Sequence, residues 1–163
     1  MRRLLPALTA ASLLAAQQAQ AQLDCLRPQE KPLVEVAALR SELMVLATGC
    51  HQDSNYNAFV RKFQAGLQGN EKAVAEVFKR MYGRRAQQEH DRFTTDLANG
   101  ESSAGMRLGT DFCARNSLLF SEVMSLDSAS ELPAYAAGKD LVPATLDMCP
   151  QAPVRKQVAS RHH

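Results

Sequence analysis

Four cysteines placed behind a cleavable leader constrain what this chain can become more than any other feature. Arg2 and Arg3 open the sequence, Leu4 to Ala16 is rich in Leu and Ala, and Ala19-Gln20-Ala21 has the small-x-small form that signal peptidase accepts. Residues 1–21 therefore read as a secretory signal peptide cleaved after Ala21, with the periplasm or the exterior as destination. The apolar stretch is interrupted by Pro6 and ends in Gln17-Gln18, too short to cross a bilayer, and no later segment approaches the run of about 20 apolar residues a span needs. Asp24 stands where a lipoprotein signal wants a small residue before its cysteine, so the mature chain is expected to be unanchored. In an exported domain an even cysteine count reads as disulfides.

Removing the leader also changes the charge. Loss of Arg2 and Arg3 takes Lys plus Arg from 19 to 17, equal to the 17 Asp plus Glu, so the mature chain is near neutral. That removes the whole-protein electrostatic argument for a nucleic-acid partner.

The mature sequence reads as helix after helix. From Leu33 to Cys50 the residues Val36, Leu39, Leu43, Leu46 and Cys50 step by three and four, with Pro32 suited to the first turn and Gly49 to the end. Asp53-Ser54-Asn55 offers caps for a second helix with Tyr56, Phe59, Val60, Phe63 and Leu67 on one face, closed by Gly69. Asn70 caps a third, carrying Val74, Val77, Phe78 and Met81 and stopped by Gly83. A fourth runs from about Arg84 to Ala98 and ends at Asn99-Gly100. The fifth, Ser103 to Leu126, carries Leu108, Phe112, Leu119, Val123 and Leu126 and is expected to be central, its early Gly105 and Gly109 either fraying or packing closely. A short sixth spans Ser130 to Gly138, and Val142 to Cys149 adds one more turn. The expected fold class is all-α: a single disulfide-stapled helical bundle of about five to six helices over residues 22–149, followed by a flexible tail at 150–163.

Three pairings of the four cysteines are allowed. Cys50 lies at the far end of the first helix, about 27 Å of helix rise from its start, so Cys25–Cys50 would force residues 26–32 back almost fully extended. A weaker form of the same objection meets Cys113–Cys149. The favoured pairing is Cys50–Cys113, tying the first helix to the fifth, with Cys25–Cys149 tying the domain's two ends.

Candidate chemistry is sparse. There is no Cys-x-x-Cys, Gly-x-Ser-x-Gly, His-Glu-x-x-His or Gly-rich phosphate loop, so neither a cofactor nor a catalytic residue is expected. His51 and Asp53 are the weak metal candidates, or a base and its orienting carboxylate, against a plain reading in which Asp53 caps a helix and His51 is exposed. Glu89-His90-Asp91 cannot converge, because adjacent helical residues point about 100° apart, and His90 falls on an apolar stripe. His162 and His163 belong to the tail. Charge distribution says more. Between Arg61 and Arg92 eight basic residues face four acidic ones, whereas from Thr94 to Cys149 eight acids face three bases. Lys79, Arg80, Arg84 and Arg85 flank the Gly83 turn as a basic corner suited to an anionic partner.

The stretch from Leu39 to Cys50, the segment Tyr56-Asn-Ala-Phe-Val-Arg-Lys-Phe63 and Asp111-Phe-Cys113 resemble small exported α-helical proteins of Gram-negative bacteria, over roughly the first two-thirds of the mature chain. The resemblance implies a periplasmic or secreted setting and places Cys50 and Cys113 among recurring positions; it carries no catalytic residues. The expected function is a non-enzymatic binding, adaptor or accessory protein of the cell envelope, partnered by an envelope protein or an anionic envelope polymer. The alternative is a small hydrolase or metal-dependent enzyme using His51 and Asp53.

Overall fold

The computed structural model describes residues 25–139, 141–143 and 145–150. The expected signal peptide, residues 1–21, and the expected tail beyond Pro150, with His162 and His163, lie outside the described residues. The described chain runs α1 (Lys31–Gly49), α2 (Asp53–Lys62), α3 (Gln64–Tyr82), a 3₁₀ turn at Gly83–Arg85, α4 (Ala86–Leu108), α5 (Asp111–Arg115), α6 (Leu119–Ser125), a 3₁₀ turn at Ala129–Glu131 and α7 (Leu132–Ala137). It is all-α, with five helices of seven residues or more; among the described residues the one β-type contact is an isolated parallel bridge between Leu26 and Met148.

α1 is the hub. Its buried residues Val34, Val36, Ala38, Leu39, Leu43, Leu46 and Ala47 go right round the helix, and a helix apolar on every side must be covered on every side. It packs against α2, α3, α4 and α7. Val36, Leu39, Leu43 and Leu46 meet Phe59, Phe63, Leu119, Phe120, Val123 and Leu132 in one core cluster. Val34 and Ala38 meet Val74, Val77, Phe78, Met81, Phe93 and Leu97 in a second. The buried carboxylate Glu35 is paired with Lys31 one turn earlier.

Three sequence expectations are corrected. The second helix does not close at Gly69: the break falls at Phe63, and α3 runs through Gly69 and Asn70. The Asn70 amide donates instead to the Leu33 carbonyl (3.0 Å), so it ties α3 to α1 rather than capping a helix. The fourth helix does not stop at Asn99-Gly100 but continues to Leu108, where Gly109 at φ 54° ends it. The fifth helix is not continuous or central. It is divided between the end of α4, α5 and α6, because Gly109 turns the chain and the Asn116 amide folds back onto the Phe112 carbonyl (3.0 Å). Between Val142 and Cys149 the expected turn is a single hydrogen-bonded one, Leu146 N–H donating to the Pro143 carbonyl (3.2 Å); past it, Leu26 N–H donates to the Asp147 carbonyl and Cys149 N–H to the Leu26 carbonyl, both at 2.8 Å, which lays residues 147–149 alongside Leu26.

Cys25 is joined to Cys149 and Cys50 to Cys113, with Cα separations of 4.9 and 5.7 Å. The first closes the chain ends beside the Leu26 bridge. The second fastens α5 to the end of α1, with the Phe112 ring beside both Gly49 and Gly105, where a Cβ would make only an ordinary contact. Loops of 124 and 63 residues are closed, each stabilising a domain by typically about 2–4 kcal/mol.

Candidate functional site

The basic corner is split. Lys79, Arg84 and Arg85 are exposed around the Gly83 turn, where φ of 54° reverses the chain. Lys79 lies 3.5 Å from Glu76 and Arg85 3.4 Å from Glu89. Arg80 does not belong to this surface. Its Nε donates to Glu30 Oε1 (2.8 Å) and its Nη2 to the Cys25 carbonyl (2.9 Å), so the guanidinium is turned inward beneath the first disulfide. Arg80 is drawn to Glu30, whose carboxylate also accepts from Arg27 N–H (2.9 Å).

His51 and Asp53 are both exposed. His51 has φ of 56° and follows the C-cap of α1; Gln52 N–H donates back to the Ala47 carbonyl (2.8 Å). That is a Schellman ending with histidine in the left-handed position usually held by glycine. Asp53 is the first residue of α2, where a carboxylate complements the helix dipole. Both residues thus have backbone roles. Among the described residues no group of three His, Cys, Asp or Glu side chains is arranged to hold a metal. His90 is 15 % exposed, packs on Phe78 with ring centroids 5.1 Å apart, and lies 3.5 Å from Glu71.

Two features were missed from sequence. The first is an open groove of about 630 Å³ between the C-terminal halves of α1 and α4, closed at one end by α5. Met44 and Met106 form its walls and Gly105, Phe112 and Cys113 its floor. Thr48, also lining it, spends its hydroxyl on the Met44 carbonyl (2.9 Å), so the surface is mostly apolar, with Ser102 of α4 adding a polar edge. Met106 is 77 % exposed. Such polarizable, flexible side chains adapt to apolar partners. The signal lay in Met106, an apolar residue outside every buried stripe.

The second is a pair of carboxylates, Glu42 of α1 and Glu101 of α4. Burial, first, and the nearby charge of Glu101 push the Glu42 carboxyl up to about 7, with Lys139 opposing. Burial also raises Glu101. One Glu42 oxygen is out of solvent and has no hydrogen-bond partner. Beside them Glu122 accepts from the Tyr135 hydroxyl (2.8 Å) and Lys139 Nζ (2.9 Å), and these bonds hold its carboxyl below the usual range. Burial, then the Glu122 contact, pushes the Tyr135 phenol up. No local pattern in the sequence marks the pair, because Glu42 and Glu101 lie on different helices 59 residues apart.

Comparison of the chain with protein-family models, with curated proteins and with solved structures finds no match. No helix among the described residues is long and apolar enough to cross a membrane. Two disulfides are compatible with an oxidising, exported location.

Proposed function

We propose that the protein is an exported, non-enzymatic binding or accessory module of the cell envelope, a disulfide-stapled helical bundle that holds an apolar segment of a partner protein in the groove between α1 and α4. The supporting observation is that groove: about 630 Å³, open, walled by methionines and floored by Phe112 beside the Cys50–Cys113 disulfide. Exposed apolar concavities of this kind mark interaction sites. The exported setting rests on the leader at residues 1–21 together with the disulfides. Lys79, Arg84 and Arg85 supply a second contact suited to an acidic rim on the partner or to an anionic envelope polymer. The hydrolase reading through His51 and Asp53 is not carried further, because helix-boundary roles account for both residues.

The test is affinity capture from the native envelope fraction with wild type, Met106→Glu, and the triple reversal of Lys79, Arg84 and Arg85 to Glu. A defined partner held by wild type and lost with Met106→Glu supports the groove. A partner held equally by all three proteins overturns both surfaces, and loss on charge reversal alone moves the contact to the basic corner.

A further inference from the structure

The two disulfides are anchored unequally, and the difference falls on the groove between α1 and α4. Cys25–Cys149 is held together by other bonds as well. Leu26 N–H donates to the Asp147 carbonyl and Cys149 N–H to the Leu26 carbonyl, both at 2.8 Å, and Arg80 Nη2 donates to the Cys25 carbonyl (2.9 Å). Cys25 itself is buried and Leu26 completely so. If this S–S bond opened, the two sulfurs would stay side by side, at high effective concentration for closing again.

Cys50–Cys113 lacks this support. Cys50 caps the end of α1, but Cys113 sits on α5, a helix of only five residues. Every backbone hydrogen bond of residues 111–116 stays within Gly109–Leu119, so none ties α5 to α1. Besides the disulfide, α5 meets the body of the protein through the Phe112 ring, half-buried beside Gly49 and Gly105. Gly109, at φ 54°, gives the segment a pivot at its start. Phe112 and Cys113 are also the floor of the groove, and both Cys50 and Cys113 are half-buried, so a thiol can approach from the open side.

We propose that the Cys50–Cys113 disulfide is a redox catch on the groove: a dithiol reductant opens it while Cys25–Cys149 stays closed, and the freed α5 turns on Gly109 and takes Phe112 out of the floor. One thiolate of the dithiol attacks the Cys113 sulfur, the bond between Cys113 and Cys50 breaks, and its electron pair leaves on Cys50, which takes up a proton. The second thiol of the dithiol, losing its proton, then attacks the dithiol's own sulfur in the mixed disulfide, and Cys113 departs and is protonated in turn. The protein gains two electrons and two protons, and the dithiol becomes a disulfide. Exposed disulfides are the labile, regulatory ones, and a bond whose opening frees a short segment recloses less readily than one held by its surroundings. Release of a bound partner on reduction rests on the groove being that partner's site.

The test equilibrates the oxidised protein with graded ratios of reduced to oxidised dithiothreitol, traps free thiols with N-ethylmaleimide and maps them by peptide mass spectrometry. Cys50 and Cys113 are expected to be labelled at a ratio about tenfold lower than Cys25 and Cys149. Hydrogen exchange on the selectively opened protein should show lost protection at 109–117, with α1 around Leu39 and α3 around Val74 unchanged. The double variant Cys50→Ser, Cys113→Ser should fold and give the same local loss. Joint opening of the two disulfides, retained protection at 109–117 once Cys50–Cys113 is open, or unfolding of the whole domain on that opening would each overturn the proposal. So would a partner that is lost with Met106→Glu yet held by the double variant as well as by wild type. A partner indifferent to Met106→Glu removes the groove reading instead, and the catch is then decided by the titration and the exchange.

Discussion

Arg80 of α3 and Glu30, the residue before α1, form an ion pair whose side chains are only 17 % and 12 % exposed, and the same guanidinium holds the Cys25 carbonyl. The pair locks the entry of α1 to α3 directly under the Cys25–Cys149 disulfide. Removing one partner leaves the other charge poorly solvated, which is the costly way to break such a pair. Arg80→Met should therefore lose about 2–3 kcal/mol in urea unfolding. Charge reversals at Lys79, Arg84 and Arg85 should each change stability by less than about 0.5 kcal/mol, since exposed pairs contribute little. Equal effects at Arg80 and Arg84 would contradict the division of the basic corner described above.

What could be read before the structure, and what could not, follows from local against distant causes. α1 was legible because its stripe, Pro32 and Gly49 are all local. The break at Phe63 was not, because Asn70 looks like a cap until its amide is seen on Leu33, 37 residues away. The stripe from Leu108 to Leu126 has helical spacing throughout, yet Gly109 and Asn116 cut it and Leu108 and Leu118 face solvent. Central position therefore went to α1, whose apolar residues surround it. The two disulfides could be narrowed by the length of α1, a purely geometric argument. Glu42 and Met106 matter only through what α4 and α7 place opposite them, and no local pattern encodes that.

Glu42 should make the fold less stable as the medium becomes alkaline. Its folded pKa, about 7, lies above the ordinary 4.5, so the neutral form is the one the fold accommodates. The associated stability is complete below pH about 4.5 and is lost as the pH rises through about 7. Glu42→Gln should flatten this slope and be more stable than wild type at pH 8 by roughly 1 kcal/mol, a figure reduced for the partial exposure of the site. Glu101→Gln should move the Glu42 titration to lower pH, because it removes the neighbouring negative charge. Carboxyl NMR titration reads both, and a Glu42 midpoint near 4.5 in wild type would refute the account.

His51 carries a backbone cost with no visible return in hydrogen bonding. At φ of 56° a non-glycine residue is disfavoured by about 1–2 kcal/mol, part of which glycine would give back through its greater freedom in the unfolded chain. His51→Gly should stabilise by about 0.5–1 kcal/mol, and His51→Val should destabilise. Thermal unfolding of the two variants is sufficient, and a loss of stability in His51→Gly would show that the imidazole makes a contact worth more than the strain.

Two helical glycines should respond oppositely to the same substitution. A Cβ on Gly105 would meet the Phe112 ring at 3.5 Å, an ordinary contact, while the interior of α4 gains from losing a glycine. Gly105→Ala should stabilise by about 0.5–1 kcal/mol. A Cβ on Gly66 would collide with the Ala129 side chain, where α3 passes the 3₁₀ turn before α7. Gly66→Ala gains the same helix propensity but must push that turn away, and overpacking typically costs about 1–3 kcal/mol. It should therefore be a net loss, with Ala129→Gly in the same chain restoring stability. Rescue by the second substitution separates the steric cause from any general intolerance of α3, and failure of rescue would mean that Gly66 is required for its backbone rather than for the approach of Ala129.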